Sequence, residues 1–204
     1  MWDSVGDQNS LPALIRAIQN GYGIETDVRD LDGELVIAHD PPRAGQLCLD
    51  DFLEAYRAGS RNPMLALNIK ADGLHQLLSD ALSRHGIENY FVFDMSVPDT
   101  MGYLRRSMPI AARVSEFEPI EPFAKSTKIL WVDAFQSEWY GGTEVIKWLQ
   151  DGWRLAIVSP ELHRRSHLSL WQALAKVPKD LSRNIYLCTD LFKEAQRTFH
   201  VVAD

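Results

Sequence analysis

Apolar, β-branched runs recur along the chain at residues 23–28, 64–70, 90–95, 110–114, 129–135, 154–160 and 184–189. Each is hydrophobic almost without interruption, the pattern of a strand buried on both faces of a parallel sheet. Amphipathic stretches lie between them. Leu11 to Asn20 follows Asn9-Ser10 as capping residues, with Pro12 in its first turn and Gly21 just past its end. Residues 73–85 carry leucines at 74, 77, 78 and 82 and stop at Gly86, a left-handed helix terminator. Thr143 to Gln150 and Leu168 to Lys176 repeat the pattern, and a last helix is expected from Leu191 to about Val201. Strand alternating with helix, with no Pro/Gly/Ser-rich linker, predicts an α/β fold with a parallel sheet in one domain spanning residues 1–204.

Polar residues collect at the carboxyl ends of these runs, where the active sites of (β/α)8 barrels lie, so a TIM-type barrel is expected rather than an open sheet. Seven strands are visible where such a barrel needs eight, and the chain opens directly into a helix at Ser10. The first strand is therefore expected to be missing, and the open edges this leaves predict self-association into a homo-oligomer.

A chain of 204 residues that is 46% hydrophobic can bury one large core. Its formal charge of −7 argues against non-specific binding to nucleic acid or anionic membranes, both of which need basic patches. The two cysteines, Cys48 and Cys188, are far apart without metal-type spacing and are expected to be reduced and buried. No apolar run approaches the ~20 residues of a membrane span, and Met1-Trp2-Asp3-Ser4 lacks the basic start of a signal peptide, which predicts a cytoplasmic protein.

The chemistry is densest in residues 23–40. Glu25 and Asp27 are two apart, so a strand points both carboxylates to one face, where they converge on a position suited to a hard divalent cation. Arg29 continues that face. After an Asp32-Gly33 turn, the run Leu35-Val36-Ile37-Ala38 predicts a short returning strand that carries His39 back as an acid/base. Asn68 and Lys70 lie within the next apolar run, where a polar group costs several kcal/mol unless it is paired or bound to metal.

Glu25-Thr26-Asp27, the Asp32-Gly33 turn and His39-Asp40 together resemble the signature of the glycerophosphodiester phosphodiesterase family. Gln8-Asn9-Ser10 is similar to an altered form of the family's Glu-Asn-Thr helix opening, and Asn68-Ile69-Lys70 to its Glu-Ile-Lys strand. The resemblance implies that Glu25, Asp27 and Asn68 hold Mg²⁺ or Ca²⁺, that His39 is one of two proton-carrying histidines, and that Lys70, with Arg29, meets a phosphate. Asn68 stands where the family has a glutamate, so cation affinity should be lower. The family's His-Arg-Gly triplet would fall before Met1. With one histidine of the pair, general acid/base catalysis forfeits a factor on the order of 10²–10⁴.

The expected activity is metal-dependent hydrolysis of a small glycerophosphodiester-like molecule. A non-catalytic barrel that binds a phosphorylated ligand or a partner protein is the alternative, and an aldolase with Lys70 as Schiff base is a more distant one. Downstream, cap and salt-bridge roles are the first reading of Asp94 and Glu116, with a place in the metal shell as the alternative, and His163 with Arg164 is a candidate to reach a phosphate.

Overall fold

The computed structural model describes residues 9–120, 123 and 125–199. The chain divides into two compact units, one running to Ile110 and one beginning at Ala111. The first unit opens with helix α1 (Leu11–Gln19), whose N-cap Ser10 accepts a hydrogen bond from the Ala13 amide and whose buried face is Ala13, Leu14, Ala17 and Ile18. Then follow β1 (Ile24–Leu31), β2 (Glu34–Ile37), β3 (Leu47–Cys48), α2 (Leu49–Ala58), β4 (Leu65–Ile69), α3 (His75–Arg84), β5 (Tyr90–Phe93) and α4 (Val97–Arg105). The strands form one sheet in the order β3-β2-β1-β4-β5. β1, β4 and β5 run parallel, while β2 returns antiparallel to β1.

The returning strand is built as its sequence requires. Leu31 pairs with Glu34, leaving Asp32 and Gly33 as a two-residue turn with both φ angles positive (51° and 86°), the conformation whose twist matches a hairpin. Every residue of β4 is buried, and Asn68 is the one polar group among them. Burial on both faces explains the unbroken hydrophobicity of that run.

The second unit contains β6 (Ala111–Val114), β7 (Ile129–Val132), α5 (Gly142–Gln150), β8 (Arg154–Val158), α6 (Leu168–Leu174), α7 (Lys179–Ser182), β9 (Ile185–Cys188) and α8 (Phe192–Phe199). Its four strands pair in parallel in the order β6-β7-β8-β9. Leu130, Val132, Leu155 and Ile157 meet Val145, Trp148 and Leu149 of α5 and Leu170 and Leu174 of α6 in a continuous core.

Three strands stop two or more residues short of their apolar runs: β5 at Phe93, β7 at Val132 and β8 at Val158. Asp94 turns left-handed, Asp133 hydrogen-bonds the amide of Ala134, and Pro160 cannot donate to a ladder. Helices α2, α4 and α7 add to the expected elements. The two cysteines form no disulfide, and both are half-buried rather than buried as expected. Gln8, the His-Arg-Gly position and the end of the last expected helix lie outside the described residues. Asn9 is described, and its Oδ1 accepts a hydrogen bond from Thr26 Oγ1 at 3.3 Å. Among the described residues, no helix is long and apolar enough to cross a membrane.

Candidate metal and phosphate site

Alternation along β1 sets Glu25, Asp27 and Arg29 on one face, and the parallel register with β4 places Asp27 beside Asn68. Asp27 and Asn68 are each 7% exposed. The Asn68 amide hydrogen-bonds the Glu25 carboxyl. Its other arm, Oδ1, is buried and receives no hydrogen bond. Lys70 follows β4 directly, with Nζ 3.4 Å from Asp27 Oδ1. Four of the residues singled out from sequence are thus brought together along two adjacent strands, Glu25 and Asp27 within β1 and Asn68 and Lys70 at the carboxyl end of β4.

Their electrostatics are unbalanced. Burial pushes the Glu25 carboxyl up from 4.5 to about 8, and the negative charge of Asp27 adds to the shift. Lys70 and the Asn68 hydrogen bond pull it back down, while Asp94 raises it further. The Lys70–Asp27 ion pair also bears on the lyase alternative. A Schiff-base lysine needs a desolvated or cationic setting, whereas this one faces carboxylates.

Among the described residues, no three His, Cys, Asp or Glu side chains are gathered closely enough to cage an ion by themselves. Glu25, Asp27 and the Asn68 carbonyl nevertheless form an oxygen-only donor set of the kind Mg²⁺ and Ca²⁺ take. The orphaned Asn68 Oδ1 supports that fit, because a buried acceptor without a donor is otherwise a cost of about 1–3 kcal/mol.

Arg29 is occupied differently from the sequence expectation of a phosphate contact. Its Nε donates to the His39 carbonyl at 3.1 Å and its Nη1 to the Lys70 carbonyl at 2.9 Å. Backbone bonds from Ala38 N to Asp27 O (3.1 Å) and from Lys70 N to Val28 O (3.0 Å) run beside it. The guanidinium therefore ties the ends of β2 and β4 across β1.

His39 lies just past β2. Its imidazole is 71% exposed, and Nδ1 is 2.9 Å from Asp40 Oδ1. The ring is held by its neighbour and lies largely in solvent. An open depression lined by Asp40, Pro41, Pro42, Arg43 and Gln46 adjoins it.

The second unit has a histidine–carboxylate contact of its own. His163 Nε2 lies 2.7 Å from Asp133 Oδ1, which also accepts from the Ala134 amide at 2.7 Å, and the Phe135 ring packs on the imidazole at 5.5 Å. The pairing with Asp133 was not foreseen, although both residues follow strand ends. Arg164, expected beside His163 on a phosphate, terminates the 3-10 turn Pro160–His163 in a left-handed conformation. Glu116, a candidate for the metal shell, accepts from the amides of Phe135, Gln136 and Ser137 instead.

No protein-family model and no curated protein matches this chain at the level of sequence. Solved structures do match. A glycerophosphodiester phosphodiesterase from Parabacteroides distasonis aligns over 98% of this chain and 93% of its own, at 19% identity and a TM-score of 0.68. One from Agrobacterium tumefaciens aligns over 93% of both chains at 17% identity and a TM-score of 0.63. An Oleispira antarctica phosphodiesterase, solved with the product sn-glycerol-3-phosphate, aligns over 95% of this chain and 92% of its own at 14% identity and a TM-score of 0.63. At these identities the likeness carries the fold, which is α/β of the TIM-barrel type expected from sequence.

Proposed function

We propose that this chain is a metal-dependent phosphoric diester hydrolase of the glycerophosphodiester phosphodiesterase family, acting on a small glycerophosphodiester-like molecule. The observation that carries the reading is the convergence of Glu25 and Asp27 of β1 with Asn68 and Lys70 at the carboxyl end of β4, within a fold shared with phosphodiesterases. Glu25, Asp27 and the Asn68 carbonyl would hold Mg²⁺ or Ca²⁺. Bound there, the cation supplies charge neutralisation for a non-bridging phosphate oxygen.

The chain's own groups account for the rest. Lys70, the cation at the mouth of the cluster, orients the diester, and its contact with Asp27 keeps it from swinging away when no substrate is present. Asp40 engages Nδ1 of His39 and leaves Nε2 to hand a proton to the departing alkoxide. Arg29 fixes the backbone of both His39 and Lys70, so it acts through them rather than on the substrate.

The test is release of alcohol from a glycerophosphodiester, with and without Mg²⁺ or Ca²⁺. The expected result is cation-dependent turnover that Glu25→Gln and His39→Ala each abolish, while His39→Ala leaves cation affinity within about twofold of the unaltered chain. Turnover that survives chelation would remove the cation from the mechanism. One observation favours a second reading, a barrel that binds a phosphorylated ligand without hydrolysing it: the proton carrier His39 is largely in solvent. Calorimetric binding of glycerol 3-phosphate with no alcohol released from any diester would favour that alternative.

A further inference from the structure

We propose that Asp94 supplies the third negative charge of the cation site, delivering from β5 the charge that Asn68 on β4 does not carry. The inference rests on the cation reading above and extends it to a residue outside the Glu-x-Asp, His-Asp and Asn-Ile-Lys motifs.

The geometry begins with register. β5 lies parallel to β4 with Phe93 beside Asn68, and Asn68 in turn lies beside Asp27. Residues paired in this way share a face, so strand alternation alone would turn residue 94 to the opposite side. The chain departs from alternation at that point, because Asp94 has φ +69°, a left-handed conformation that is uncommon outside glycine. The carboxylate it presents is felt at Glu25, where its charge adds to that of Asp27.

A second, independent observation points to a cation. Asn68 is more than nine-tenths buried, one arm of its amide is bonded to Glu25, and its Oδ1 has no donor. That oxygen is an acceptor set among carboxylates, a place a hard cation would fill. The charge balance agrees. With ionised Glu25 and Asp27 set against the Lys70 ammonium, the site is short of neutralising a divalent ion by one unit, and Asp94 makes up that unit. Because the three carboxylates are not close enough to cage an ion together, Asp94 acts through its field and not as a direct ligand.

The experiment is calorimetric titration of the full chain with Ca²⁺ and with Mg²⁺. Asn shares with Asp a tolerance for the left-handed region, so Asp94→Asn removes the charge and keeps the backbone. The expected result is a cation affinity weakened about 10–100-fold, the range typical of outer partners of metal ligands. Adding Asn68→Asp to Asp94→Asn should restore most of the loss. Unchanged affinity in Asp94→Asn, with binding abolished in Glu25→Gln, would overturn this proposal and leave the cation site standing. Failure of the double variant to regain affinity would also overturn it, because Asp94 would then act by something other than charge. An unaltered chain that binds neither ion would sink both this proposal and the cation reading.

Discussion

Binding of a divalent cation to this chain should expel a proton at neutral pH, and the amount can be worked out from the position of Glu25. Its carboxyl is pushed up to about 8 by burial and by the neighbouring charge of Asp27. At pH 7 such a group holds a proton about 0.9 of the time, and at pH 9 about 0.1 of the time. A hard cation binds the carboxylate and not the acid, so binding at pH 7 releases about 0.9 of a proton and apparent affinity falls about tenfold for each pH unit below 8. Titration in two buffers of different ionisation enthalpy measures the number directly. An ordinary carboxyl at 4.5 would release almost none. Heat that is independent of buffer at pH 7, with the cation demonstrably bound, would refute the argument. The same group sets a stability trend in the cation-free chain. Its folded-state value lies above the unfolded one, so its contribution is intact below about 4.5 and is lost as pH rises through about 8. Glu25→Gln should therefore unfold at the same urea concentration as the unaltered chain at pH 4 and at a higher one at pH 9. The upper limit of the gain is on the order of 5 kcal/mol.

Two further substitutions test how the site is held. Arg29→Ala removes two charge-assisted hydrogen bonds to carbonyls, each worth roughly 1.5–3 kcal/mol, and Arg29→Lys should not rescue it because one ammonium does not reproduce the planar fork. Hydrogen exchange should quicken at Ala38 and Lys70 in both variants and turnover should fall with little change in KM, while unchanged protection at those amides would return Arg29 to the role of a phosphate ligand. Gly102→Ala in α4 should destabilise by about 1–3 kcal/mol in urea unfolding, because a Cβ there runs into the His75 ring, whereas helix propensity alone predicts a gain of about 1 kcal/mol.

Most of the parallel strands were legible because a strand buried on both faces has no freedom to be polar, while β9, half-buried throughout, was read from its apolar run alone. All seven apolar runs became strands. The Asp32-Gly33 turn was legible for a related reason, since few residue pairs accept two positive φ angles. The additional helices gave weaker signals. Cys48, the N-cap of α2, makes no side-chain cap, and α7 is a single turn with no buried residue. Helix α4 did announce itself, with Ser96 capping the Asp99 amide and Pro98 in the first turn, but Thr100 and Gly102 weaken its apolar rhythm.

The candidate site divides along the same line. Glu25 and Asp27 could be placed on one face from sequence because strand period is a rigid rule, and Asn68 and Lys70 stood out as polar groups in an apolar run, but the register that sets Asn68 beside Asp27 came from the structure. Arg29 and His39 could not, because their surroundings depend on which carbonyls and carboxylates lie within reach of a long or loop-borne side chain. The period-2 rule put Arg29 on the correct face and said nothing about its donors, which went to the His39 and Lys70 carbonyls. For His39 the rule expired at Ala38, the last residue whose amide bonds to the β1 backbone, so the ring direction is set by Asp40 and solvent. Asp94 is the converse case, because there a break in the strand rule is itself the signal. A non-glycine residue held left-handed at the end of a buried strand, within electrostatic reach of a carboxyl already crowded by Asp27, raises the energy of the cation-free site. In the cation-free chain a proton on Glu25 relieves that crowding at neutral pH, and the proposed cation would take the proton's place.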